Sequence, residues 1–212
     1  MSETEKQMSE LEFAALLVSR VCHDLVSPVG AVVNGLEVLE DERDATMRAD
    51  ALKLVVSSAE QATARLQFAR IAFGAAGSAG AELDLNEVGR TVRGLMANGK
   101  IELDWHAAAV NWPKDWAKLL MNATLLAADS LPRGGKVHVE TSMDSAAPGF
   151  TVGATGMNAR FHEDCEKAAR GEPVHPLDGR SIQAFLTYKL ARNLNAGLTL
   201  TARDGAVQIV AG

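Results

Sequence analysis

A chain of 212 residues, 47% hydrophobic and 23% charged, has the apolar content for a proper core and is no disordered tail. Its net charge of −6 argues against a nucleic-acid binder, because phosphate backbones need clustered Lys and Arg, so the expected partner is another protein. Two cysteines alone, Cys22 and Cys165, and a polar N-terminus that reads as neither signal peptide nor membrane span point to reduced thiols and a cytoplasmic protein without a membrane association.

The first element is an apolar series, Leu11, Ala15, Val18, Cys22, Leu25, Val29, Val32, Leu36 and Leu39, alternating steps of four and three as a bundle seam does. A charged turn at Asp41-Glu42-Arg43-Asp44 follows, and Leu52, Val55, Ala59, Ala62, Leu66, Ala69 and Phe73 continue the stepping. The two helices, each about 45 Å long at 1.5 Å per residue, make a hairpin that leaves half of each apolar face in water. A second hairpin from an identical subunit would close a four-helix bundle; the alternative is that the hairpin packs on the rest of its own chain. The small residues from Gly74 to Gly80 read as a linker, dividing the chain into a hairpin, residues 1–75, and a second domain, residues 76–212.

Beyond the linker, Leu85, Val88, Val92 and Leu95 predict a helix begun by Asp84 or Asn86, and Ile101, Leu103 and Trp105 alternate as a strand. Another helix, with Pro113 in its first turn, turns Trp116, Leu119, Leu120, Ala123 and Ala127 inward. After a turn at Pro132-Arg-Gly-Gly135 come strands through Val137 and Val139 and through Phe150 and Val152. A helix from about Ser181 to Leu194 and a hairpin through Leu198, Leu200, Asp204-Gly205, Val207 and Ile209 close the chain. The fold class is α+β: a helical hairpin followed by a layered α/β sandwich.

The chemistry sits on the first helix, at His23-Asp24-Leu25-Val26-Ser27-Pro28. His23 lies one step past the seam and faces outward. A proline inside a strong helical pattern costs on the order of 3 kcal/mol and needs a reason; a bend that loosens the backbone one turn after a reactive histidine would be one. Attack on phosphorus needs a neutral imidazole with one nitrogen free, and Asp24 can hold the proton on the other and orient the ring. Val26 and Gly30 share the face of His23, with Ser27 one turn above, and Arg20 lies one turn before; Arg20, Val26 and Gly30 are the expected docking residues. By ordinary residue frequencies a histidine gains this setting by chance about once in a thousand. His106, His138 and His175 have no acid directly after them, and His162 with Cys165 has zinc-like spacing but too few ligands for a site.

The hexapeptide resembles the H-box of sensor histidine kinases, whose dimerisation and phosphotransfer domain is the same kind of hairpin. The second domain resembles the kinase ATP-binding (Bergerat) domain in frame but not in content. Asn122 matches an upstream Asn of the Asn-box, yet Leu126 stands where magnesium is bound; Ala154 replaces the adenine-reading Asp, Asn158 a glycine, and Gln183-Ala184-Phe185 the phosphate loop. That combination is similar to the ChpT family of alphaproteobacterial histidine phosphotransferases. The resemblance implies a homodimer that is a phosphotransferase but not an ATP-dependent kinase. It would accept phosphate on His23 from the receiver of a CckA-like hybrid kinase and pass it to CtrA-like and CpdR-like regulators of the cell cycle. His23, Asp24, Ser27 and Pro28 would form its site; no metal or cofactor is expected, with Mg2+ only in the partner receiver. Arg160, Arg170 and Arg180 could pair with acidic receiver surfaces. The other readings are a non-catalytic dimeric adaptor and a kinase with a drifted ATP site.

Overall fold

The computed structural model describes residues 8–74, 81–97, 99–174 and 176–212. Apart from Gly74, the expected linker lies outside the described residues, as does His175.

Helix α1 (Glu10–Asp41) opens on a capping box: the Ser9 hydroxyl accepts from the Glu12 N–H at 3.2 Å and the Glu12 carboxylate accepts from the Ser9 N–H at 2.8 Å. Helix α2 (Ala45–Ala72) is capped by Asp44, whose carboxylate accepts from the N–H groups of Thr46 and Met47. The two helices run antiparallel and meet over small residues. Pro28 and Gly35 of α1 and Ala51 and Ser58 of α2 are buried, and a side chain at Gly35 would collide with Val55. This contact face is turned from the expected seam. Leu25, Val32 and Leu39 are half-buried, but Leu11, Val18, Cys22, Val29, Leu36, Leu52 and Leu66 are exposed. Close approach of two helices favours the side with the smallest residues, and the larger aliphatics are left outside.

The base of the hairpin belongs to the same core as the rest of the chain, so the alternative of packing on its own chain holds there. Phe68 and Ala72 are buried in it, Leu16 and Leu17 pack against it, and the Phe13 ring meets Phe185 edge-on at 6.1 Å between centroids.

The remaining elements are β1 (Glu82–Asp84), α3 (Leu85–Met96), β2 (Ile101–His106), β3 (Asn111–Pro113), α4 (Lys114–Asp129), β4 (Gly135–Thr141), β5 (Phe150–Thr155), α5 (Glu163–Ala169), α6 (Gly179–Asn193), β6 (Leu198–Arg203) and β7 (Ala206–Ala211). A five-stranded sheet runs β2-β4-β5-β7-β6, with β2 parallel to β4 and every other pair antiparallel. Strands β1 and β3 pair separately. Val137, Val139, Val152, Ala154, Val207 and Ile209 face the helices and are buried, alternating with more exposed neighbours, so one face of the sheet is open. Asp84 caps α3, as expected. Pro113 is the cap of α4 rather than part of its first turn, because it is also the last residue of β3. Helix α6 starts before Ser181, since Asp178 supplies the cap. The α+β class and the helical hairpin are as expected; β1, β3 and α5 are additions.

Candidate functional site

His23 stands out from the middle of α1 with its side chain 84% exposed, beside a cavity of about 560 Å³ between the hairpin and the second half of the chain. Asp24 turns Oδ1 toward His23 Nδ1 at 3.5 Å, the outer limit of a hydrogen bond, which leaves Nε2 facing solvent. The other carboxylate oxygen accepts from Arg20 Nε at 2.8 Å. Arg20 is buried, and its remaining nitrogens reach the Gly179 carbonyl at 3.3 Å and Asp129 at 3.4 Å. Burial pulls the guanidinium down, but Asp129 and Asp24 outweigh it and hold it above its ordinary value. One fixed cation thus links the carboxylate beside His23 to the C-terminus of α4 and the start of α6. Arg20, expected at the docking face, is buried, and three of its five N–H groups are bonded inside the chain.

Pro28 is buried, and α1 runs through it without interruption. A proline has no N–H for the carbonyl four residues earlier, here that of Asp24. Arg65 of α2 fills the gap, donating from Nη1 to the Asp24 carbonyl at 2.5 Å. Where a loosened backbone was expected, the missing bond is replaced from the neighbouring helix. Asp24 is therefore held at its side chain by Arg20 and at its main chain by Arg65. Sequence reasoning missed Arg65, Asp129 and Gly179. The proline signalled that some donor was needed, but nothing in the sequence said which.

Val26 is 70% exposed, Ser27 is exposed, and a side chain added at Gly30 would meet nothing within 4 Å. The face around His23 is open. All three arginines expected to meet a receiver, Arg160, Arg170 and Arg180, are exposed; Arg170 is tied to Glu166 at 2.8 Å and to the Leu200 carbonyl at 3.0 Å, and Arg180 lines the cavity. His162 and Cys165 do not converge: the histidine is exposed at the cap of α5, and the thiol is buried, with burial pushing it up to about 11.

The residues set in the kinase-like frame have structural work. Leu126, Ala154 and Phe185 are buried in the core. Asn158 keeps the left-handed backbone, φ 61°, where the kinase pattern has glycine. Asn122 is fully buried; its Nδ2 donates to the Ala72 carbonyl at 3.1 Å and the Lys118 carbonyl at 2.9 Å, and its Oδ1 accepts from Gln183 at 3.0 Å. The same Gln183 amide donates to the Asn122 carbonyl at 2.9 Å. A polar clamp thereby joins α2, α4 and α6. At the N-terminus of α6, where a phosphate could use free N–H groups, the Asp178 carboxylate already accepts from Arg180 and Ser181 at 2.9 and 2.7 Å.

The family model described as histidine phosphotransferase C-terminal domain matches residues 85–206. The curated protein phosphotransferase ChpT of Brucella abortus (strain 2308) is 40% identical over 204 residues, covering 96% of this chain and 95% of its own. A solved structure of a bacterial phosphotransferase superposes with a TM-score of 0.88 at 36% identity, covering 97% of this chain and 98% of that one. The structure of the Acinetobacter baumannii histidine kinase AdeS covers 89% of this chain and 95% of its own at 11% identity, with a TM-score of 0.48. On the strength of the family match and of the ChpT likeness along nearly its whole length, the chain belongs to the histidine phosphotransferases and is a ChpT-like protein phosphotransferase.

Proposed function

We propose that His23 is the phosphoryl carrier of a relay, loaded by the receiver domain of a hybrid kinase and unloaded onto the receiver aspartates of response regulators. The observation that carries this reading is the exposed imidazole whose Nδ1 faces a carboxylate pinned by a buried arginine. In the loading step the Nε2 lone pair attacks the phosphorus of an aspartyl phosphate, the bond from phosphorus to the carboxylate oxygen breaks, and the carboxylate leaves with the electron pair. The Nδ1 proton stays on the ring, and Asp24 offsets the positive charge that develops there. Unloading is the reverse on another receiver. The metal ion that neutralises the phosphoryl oxygens belongs to the receiver, so this chain needs only to position its ring.

Nucleotide has no part in the proposal. Buried Leu126, Ala154 and Phe185, the committed Asn122 amide and the self-capped start of α6 support that reading. A receiver would seat on Val26, Ser27 and Gly30, with Arg160 and Arg180 as a second contact for its acidic surface. By family resemblance the donor is CckA-like and the acceptors CtrA-like and CpdR-like.

The proposal includes a homodimer in the cytoplasm. Helix α1 is long and apolar enough to cross a membrane by length and composition, but a bundle explains the same residues. Leu11, Val18, Val29, Leu36, Leu52 and Leu66 are the aliphatics that a second hairpin would cover.

The test is to mix the protein with a receiver carrying labelled phosphate. Label should move onto wild type and not onto His23→Ala. Label on the variant, or none on wild type, overturns the proposal, and the second result would favour a non-catalytic adaptor.

A further inference from the structure

The open face of the sheet carries a cluster that the relay does not use. Strands β2 and β4 are in parallel register with Asp104 opposite His138 and His106 opposite Glu140, so all four side chains emerge together on the face that the helices leave uncovered. Asp104 Oδ1 lies 2.6 Å from His106 Nε2, and Asp104 Oδ2 lies 3.2 Å from His138 Nδ1. The two imidazole rings are 5.2 Å apart between centroids. One nitrogen from each histidine and one oxygen of Asp104 fall within 4.8 Å of one another, and no other group of three such side chains comes together among the described residues.

We propose that Asp104, His106 and His138 form a binding site for a divalent transition ion of the zinc class, on the edge of the sheet opposite the helices. Two imidazoles and a carboxylate suit zinc, copper or nickel, and not calcium or magnesium, which prefer an all-oxygen shell. Zinc bonds of 2.0–2.1 Å in a tetrahedron put ligand atoms about 3.3 Å apart. From the observed cluster this requires shifts of about 1.5 Å or less, which exposed side chains make by rotation, and solvent completes the shell.

Glu140 supplies what a ligating histidine needs behind it. It lies 3.0 Å from His138 Nε2, where it accepts that N–H, fixes the tautomer and leaves Nδ1 to the ion. Opposing the ion is Lys136, whose ammonium lies 3.2 Å from Asp104. It also reaches Glu102 at 3.5 Å, an alternative partner to which it can retire when a metal takes Asp104. A bound ion would join the edge strand β2 to β4 and stabilise the folded chain by mass action.

Untagged full-length protein titrated with Co2+, followed by competition with Zn2+, tests the site. Wild type should bind one equivalent and show the visible absorption of tetrahedral cobalt. His106→Ala and His138→Ala should each weaken binding about tenfold or more, and Glu140→Gln on the order of 10- to 100-fold. Lys136→Gln should tighten it, a direction that loss of structure would not produce. His162→Ala should change nothing. Equal affinity in wild type and the His106→Ala/His138→Ala double variant, or in wild type and Asp104→Asn with circular dichroism unchanged, overturns the proposal, as does binding that follows His23 instead.

Discussion

The peptide at Asp24 lacks its helical hydrogen bond because residue 28 is a proline, and that loss gives Arg65 its place. The two residues are therefore coupled. Arg65→Ala should destabilise the chain by about 1–3 kcal/mol, the cost of orphaning a half-buried carbonyl. In a Pro28→Ala background the new N–H at position 28 restores the helical bond, and most of that cost should vanish; chemical denaturation of the double-mutant cycle measures it. Phosphotransfer should follow the same pattern, since a ring misplaced by 1 Å loses about a hundredfold in rate. Asp24→Asn should slow transfer comparably without affecting stability to the same degree, because it removes the charge and not the main-chain bond. Gly30 offers the opposite separation. A Cβ there has nothing within 4 Å, so Gly30→Leu should leave the melting temperature equal or higher while blocking transfer by at least about tenfold, a value a receiver-titrated rate assay would give. The thiols also part company: only a thiolate reacts with an alkylating reagent, and Cys165, buried and pushed up to about 11, should label only on unfolding, at a rate set by the unfolding reaction and visible by mass spectrometry. At this scale the grouping of His23, Asp24 and Pro28 was legible, because a histidine, the acid beside it and a helix proline are local in sequence. Arg65 and Arg20's partners were not, since Arg65 is 41 residues from Asp24 and Gly179 is 159 residues from Arg20.

The long helices announced themselves by period, and their ends by caps such as Ser9 and Asp84. The elements that escaped reading are short. Strands β1 and β3 have three residues each, too few for an alternation to show, and the seven residues of α5 make barely two turns. The seam was read on the right helices, but the residues where α1 and α2 approach most closely were not, because the apolar period does not report which side carries the small residues, here Gly35, Ala51 and Ser58. Among the helices the Asn122 clamp is the most exacting contact. Asn122→Leu would strip the buried Ala72 carbonyl of its side-chain partner and take one of its partners from the Gln183 amide, which keeps the Asn122 main-chain carbonyl, and should cost about 1–3 kcal/mol for the orphaned carbonyl. At a temperature where the variant is still folded, transfer through His23 should persist, since Asn122 touches neither Arg20 nor Arg65.

For the whole molecule, the uncovered aliphatics of the hairpin set the expectation of assembly. Sedimentation should show a dimer for wild type and a monomer for Leu36→Glu/Leu52→Glu, with the fold of the second half unchanged by near-ultraviolet dichroism of its tryptophans; a wild-type monomer at micromolar concentration would end the four-helix reading. The hairpin and the layered half share one core at Phe13, Phe68 and Phe185, and Arg20 spans them, so they are held as a single body.

The clamp also has a consequence for redesign. Asn122 matches an Asn of the kinase pattern, yet both ends of its amide are engaged in holding three helices together. Putting Asn at position 126 and Asp at position 154 would bury two new polar groups in a closed core and still leave Asn122 occupied and α6 capped by its own carboxylate. Such a variant is expected to lose stability before it gains any nucleotide: the polar groups a nucleotide would need at these positions are ones this core has no partners for.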